Sequence, residues 1–168
     1  MEAPPPEPVA ALVAAWNAHD AAAVGALCAD DVTWDDPVMA EPARGRAAVE
    51  GFLRTTFTAF PDLRYTLRGA VAVAADGRTL AYEWRTAGTH TGPLDPPGFA
   101  PTGRRVTFDG AEVVQLGDDG RITRITTYLD VRDALGQFTG LNLRPRPRSL
   151  GERLFVALQR IVAPLLRR

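Results

Sequence analysis

The sequence predicts an α+β fold in which helices come first and a curved antiparallel sheet, wrapped around them, follows. Apolar residues recur at helical spacing as far as Phe60. After Leu63 the pattern changes to alternation, punctuated by two Asp/Gly-rich turns. A Gly- and Pro-rich stretch, 89–103, separates the two hairpins.

Val9 to Trp16 places Leu12, Val13 and Trp16 on one helical face. Asn17-Ala-His-Asp20 interrupts it, and Asp20 is placed to cap a second helix running through Cys28. Val32 to Asp36 alternates as a short strand that stops at Pro37. Val49, Phe52, Leu53, Phe57 and Phe60 mark a longer helix from Arg46, closed by Pro61-Asp62. Strands are expected over 63–75 and 78–88, joined at Asp76-Gly77, and over 104–116 and 121–128, joined by Gly117-Asp-Asp-Gly120. The intervening 89–103 reads as a rim loop.

Three segments follow. Residues 1–8 are acidic and proline-rich, do not resemble a secretory signal, and are expected to be a frayed tail on a cytoplasmic protein. Residues 9–143 form the domain. Residues 144–168 begin with the stiff linker Arg144-Pro-Arg-Pro-Arg148 and continue as an amphipathic basic helix. That segment carries seven arginines against Glu152, a net +6, whereas the first 143 residues carry twelve arginines against nineteen acids, a net −7. Packing of the helix on its own domain or a dimer partner is the favoured reading. A membrane-surface helix comes second, and the acidic body disfavours nucleic acid.

The inventory restricts the chemistry. There is no lysine, so Schiff-base catalysis is excluded, and the only serine, Ser149, lies outside the domain. Two histidines, His19 and His90, and the single Cys28 cannot assemble an ordinary tetrahedral zinc site, so no metal is expected. Carboxylates, one useful histidine and three tyrosines remain. Cys28 on an apolar helical face reads as core, and His19 in its turn as structural.

Ala29-Asp-Asp-Val-Thr-Trp-Asp-Asp-Pro-Val38, followed by Glu41-Pro42 and Gly45, resembles a segment of the bacterial ketosteroid isomerases. Thr89-His-Thr-Gly92 with Pro101-Thr-Gly103 resembles the SnoaL-type polyketide cyclases. So do Gly120-Arg-Ile122, Tyr128-Leu-Asp130 and Leu135-Gly-Gln137. Both families share the nuclear-transport-factor-2-like fold, so the resemblance, over roughly residues 9–140, implies a cone with a ligand cavity and a homodimer.

The resemblance also assigns candidates. Asp36 stands where the isomerases have their general base, and alternation puts it on one face with Val32 and Trp34, while Asp35 faces away. Glu112 falls at their protonated acid, although their first-helix tyrosine is replaced by Leu12. Asp130 matches the acid–base aspartate of the cyclases and is equally placed to cap a helix beginning near Val131. Tyr128, two positions earlier, lines the same cavity or belongs to the core. His90 is either a donor to a substrate oxygen or a loop histidine. Trp16, Trp34, Phe52, Tyr65 and Trp84 are expected mostly in the core, with Trp16, Trp34, Phe52 and Trp84 as candidate substrate-binding walls.

The expected activity is cofactor-independent acid–base chemistry on a small apolar carbonyl compound, as in a polyketide cyclase or isomerase. Epoxide hydrolysis or epoxide-opening cyclisation is the alternative; a resemblance to the limonene epoxide hydrolase pattern would imply an Asp-Arg-Asp relay, for which Arg85 or Arg124 with Asp36 or Asp130 are the candidates. A non-catalytic small-molecule-binding module is the other. Deleting residues 144–168 is expected to lower stability or solubility. Each buried apolar stripe residue contributes at most about 1.5–3 kcal/mol, partly offset by ordering the segment. Urea unfolding and vesicle co-sedimentation check this; an equally stable truncation that no longer binds anionic vesicles would identify a membrane anchor instead.

Overall fold

A computed structural model describes residues 4–95 and 97–139, together with Arg153 and Ala157. The expectations for the linker and the basic helix therefore lie outside the described residues, those two positions aside. In chain order the elements are α1 (Glu7–Asn17), α2 (Ala21–Leu27), β1 (Cys28–Asp35), β2 (Ala43–Arg44), α3 (Arg46–Ala59), β3 (Arg64–Val73), β4 (Thr79–Thr89), β5 (Arg105–Leu116), β6 (Ile122–Leu129) and α4 (Val131–Thr139). The six strands form one curved, unclosed sheet in the order β2-β1-β6-β5-β4-β3. None of the described helices is long and apolar enough to cross a membrane.

Local chemistry explains the boundaries. Pro8 lies in the first turn of α1, where a missing N–H costs nothing. Asp20 caps α2 by accepting the Ala23 N–H at 2.9 Å. Asp76 accepts the N–H groups of Arg78 and Thr79 at 2.8 and 2.9 Å, and Gly77 takes φ 68° to turn β3 into β4. Asp130 accepts the N–H groups of Arg132 and Asp133, both at 3.1 Å, and starts α4.

Helices α1, α2 and α3 lie on the inner face of the sheet. Val9, Leu12 and Trp16 of α1, Val24 of α2, and Val49, Leu53 and Phe57 of α3 are all buried. Tyr65, Tyr82, Trp84, Val106, Val114 and Ile125 are buried on the strands. β3 bulges between Arg68 and Ala72, where Gly69 has φ 70°, and such a bulge bends an edge strand.

Two expectations are corrected. The sheet is mixed, because β1 pairs with β6 in parallel while the other four pairings are antiparallel. The partners lie far apart in sequence, beyond the reach of local alternation. Cys28 also belongs to β1 rather than to the second helix: α2 ends at Leu27 and passes directly into the strand.

Two carboxamides close open backbone. Gln137 of α4 accepts the Thr107 N–H and donates to the Thr107 carbonyl, both at 2.8 Å, where β5 extends beyond its pairing with β6. Asn17 does the same for Tyr65 on β3, the last strand of the sheet, with both bonds at 2.9 Å.

Gly110 lies directly under Trp84, and a Cβ there would stand 2.3 Å from the indole. Gly110→Ala is expected to destabilise the fold by about 1–3 kcal/mol, because Trp84 is wedged between neighbouring rings and has no space to retreat into. Equilibrium urea unfolding checks it.

Candidate active site

Register builds the site. On β5, Val106, Phe108, Gly110, Glu112 and Val114 share the inner face, and cross-strand pairing sets Glu112 between Tyr82 of β4 and Thr127 of β6. Glu112 is 2% exposed. Its Oε2 accepts the hydroxyls of Tyr65 at 3.1 Å and Tyr82 at 2.5 Å, and its Oε1 accepts that of Thr127 at 3.4 Å. Thr127 in turn accepts the Trp34 indole N–H at 3.0 Å.

Asp36 follows the last residue of β1 and shares the inner face with Val32 and Trp34, as alternation predicts. It is 9% exposed. Its Oδ1 accepts the Val38 N–H at 3.0 Å across the Asp-Pro turn. The two carboxylates are close enough for the charge of Asp36 to act on Glu112. Among the described residues, neither forms an ion pair with an arginine or histidine.

Burial without a counter-ion sets their acidity. Loss of solvation raises Glu112 from the ordinary 4.5 to about 7, against the opposing pull of the Tyr82, Tyr65 and Thr127 hydroxyls and with help from Asp36. Burial also raises Asp36, while the Val38 N–H opposes the rise. The Tyr65 and Tyr82 hydroxyls are pushed well above 10, by burial first and then by the Glu112 charge, so both remain donors.

Aromatic rings enclose this cage. Tyr65 lies between Trp16, at 5.4 Å, and Trp84, at 5.3 Å. Trp34 meets Trp16 at 6.1 Å and Phe52 at 5.9 Å, both edge-on. All four expected wall residues, Trp16, Trp34, Phe52 and Trp84, therefore join one cluster around Glu112.

Three other candidates stand elsewhere. Tyr128 is 58% exposed: with Thr127 facing Glu112, its neighbour must face outward. Asp130 shares that outward direction and serves as the cap of α4. A depression of about 460 Å³ beside it is lined by Leu129, Asp130, Val131 and Arg132, none of which belongs to the cage. His90 is buried on the inner face but lies eight residues beyond Tyr82 along β4, about 26 Å at ordinary strand rise. There its ring stacks on Phe60 at 5.1 Å, its Nδ1 lies 3.3 Å from Thr102 Oγ1, and burial lowers its pKa.

The Asp-Arg-Asp relay is likewise not assembled from its candidates. Arg85 forms a two-point ion pair with Asp109 on the outer face, with both N–O distances 2.7 Å, and Arg124 is exposed. Conversely, the hydroxyls of Tyr65, Tyr82 and Thr127 were not anticipated as partners of Glu112. The alternation Leu80, Tyr82, Trp84 was available to put Tyr82 inward, but only the pairing of β4 with β5 sets it beside Glu112.

Residues 9–125 match the SnoaL-like domain model, and the chain belongs to that family. Its fold is nuclear-transport-factor-2-like. A protein of Pseudomonas putida KT2440 assigned as a polyketide cyclase is 27% identical, with a TM-score of 0.67 over 79% of this chain and 96% of its own. A protein of Jannaschia sp. CCS1 assigned as a SnoaL-like polyketide cyclase is 17% identical, with a TM-score of 0.68 over 83% and 92%. The epoxide hydrolase/cyclase-like enzyme SalBIII, of pyran ring formation in salinomycin, is 24% identical, with a TM-score of 0.62 over 76% and 91%. At such identities the last two establish the shared fold.

The raised pKa of Glu112 makes stability depend on pH. Below about 4.5 the residue is protonated in folded and unfolded chains alike and contributes nothing to the pH dependence. Between about 4.5 and about 7 the unfolded chain ionises while the folded one does not, so stability falls as pH rises, by about 3 kcal/mol in full. Asp36, also raised, acts with the same sign. Urea unfolding at a series of pH values is expected to show this fall in the wild type and a clearly smaller one in Glu112→Gln.

Proposed function

We propose that the protein is a cofactor-independent acid–base enzyme acting on a small apolar carbonyl compound, a polyketide cyclase or a ketosteroid-isomerase-like isomerase. The observation that carries this reading is the buried pair Asp36 and Glu112, two carboxylates with no cation partner among the described residues, inside an aromatic enclosure. Such a pair divides its roles by environment. Asp36 lies nearer the surface and keeps a backbone donor, so it is the anion and the base. Glu112 lies deeper, feels the Asp36 charge, and is the neutral acid.

The proton of neutral Glu112 has a definite place. Oε2 already accepts two tyrosine hydroxyls, which fills its lone pairs, so the proton resides on Oε1. Asp36 takes a proton from the carbon next to the substrate carbonyl. The C–H electron pair becomes the C=C bond of an enolate, whose oxygen receives a hydrogen bond from Glu112 Oε1. The enolate carbon then attacks a second carbonyl, closing a ring, and the new alkoxide takes back the proton held by Asp36. In isomerisation, Asp36 returns that proton to another carbon of the same system. Trp16, Trp34, Phe52 and Trp84 supply apolar walls for the substrate and exclude water.

The test is exchange of α-protons of a β,γ-unsaturated ketone or a cyclic β-diketone in D₂O, followed by NMR. Asp36→Asn is expected to slow enzyme-catalysed exchange by about 10²–10⁴ and Glu112→Gln by about 10²–10³. Exchange that neither substitution affects, or a wild type that opens epoxides while leaving ketone α-protons untouched, would overturn the reading.

A further inference from the structure

The carboxylate cage is held in place from outside by the end of α1 and the turn that follows it. Tyr65 sits on β3, whose far edge has no neighbouring strand among the described residues. The Asn17 carboxamide meets both free backbone groups of Tyr65: Nδ2 donates to its carbonyl and Oδ1 accepts its N–H, each at 2.9 Å. A carboxamide is suited to this task because it carries a donor and an acceptor side by side, as a strand residue does. The same turn grips the two preceding residues. His19, at φ 54°, sets its Nε2 2.9 Å from the Leu63 carbonyl and stacks on Phe57 at 4.8 Å, and Arg64 donates to the Asn17 carbonyl at 3.4 Å. With its backbone clamped and its ring held between Trp16 and Trp84, Tyr65 delivers its hydroxyl to one place, Glu112 Oε2.

We propose that Asn17 is a positioning residue for Glu112: by fixing the Tyr65 backbone it keeps the Tyr65 hydroxyl on Oε2 and so reserves Oε1 for the proton. Its relevance to turnover rests on the acid–base reading above, but the coupling itself is independent of any substrate. Removing the Tyr65 donor withdraws support from the ionised form, so Glu112 then titrates at a higher pH.

The experiment titrates full-length protein carrying ¹³C-labelled glutamate carboxyls by NMR, with Glu112→Gln assigning the resonance. Tyr65→Phe and Asn17→Ala are each expected to raise the Glu112 midpoint by about 0.5–1 unit. In the Tyr65→Phe background, Asn17→Ala is expected to add no further shift. A lower urea midpoint in Asn17→Ala with Glu112 unmoved, or an equal shift with and without the Tyr65 hydroxyl, would overturn the proposal. If Asn17→Ala does not fold, Asn17→Ser, which keeps a single hydroxyl, takes its place with the same two outcomes. Failure of ketone exchange with the Asn17–Glu112 coupling intact removes the catalytic reading alone. Exchange with no coupling removes only the role of Asn17.

Discussion

A carboxylate buried without a cation partner among the described residues governs the interior of this domain. Moving an ionised carboxyl into an apolar interior is strongly unfavourable unless hydrogen bonds or a counter-charge compensate. Glu112 has three hydroxyl donors and the charge of Asp36 nearby, so its compensation is incomplete and its acidity shifts to about 7. The ring cluster follows from the same requirement. Tyr65, Tyr82 and Thr127 must each hold a hydroxyl at the carboxylate, and the indoles of Trp16, Trp34 and Trp84 stand around them.

Charge is separated by sheet face. On the outer face, Arg85 and Arg68 gather on Asp109, with N–O distances of 2.7 and 3.8 Å. Exposed pairs of this kind contribute little to stability, but they keep the guanidinium groups in solvent. The inner face keeps Asp36 and Glu112 without an ion-pair partner among the described residues, the condition under which carboxyl groups act as acid and base near neutral pH.

Backbone satisfaction links the fold to the site. Open strand edges leave polar groups unpaired. Asn17 and Gln137 answer that need with the same chemistry, each supplying a donor and an acceptor to one residue of a neighbouring strand. The clamp at Tyr65 adds a consequence, because the residue it steadies also donates to Glu112.

Much of this architecture was legible in the sequence. The change from helical to alternating period placed α1, α3 and the four long strands to within a few residues, because burial of one face imposes those periods directly. Alternation through Val32, Trp34 and Asp36 correctly turned Asp36 inward, and the resemblance placed Glu112 at a buried position. The relations between strands were decided only by the tertiary structure. The parallel pairing of β1 with β6, the row Tyr82–Glu112–Thr127 and the outward turn of Tyr128 all depend on register between distant segments. A shift of one residue would reverse every face, and local periodicity carries no information about which residue lies opposite. Asp130 illustrates the division: the resemblance placed it in the same cavity as Asp36 and Glu112, but β6 ends with it on the exposed side, where it caps α4.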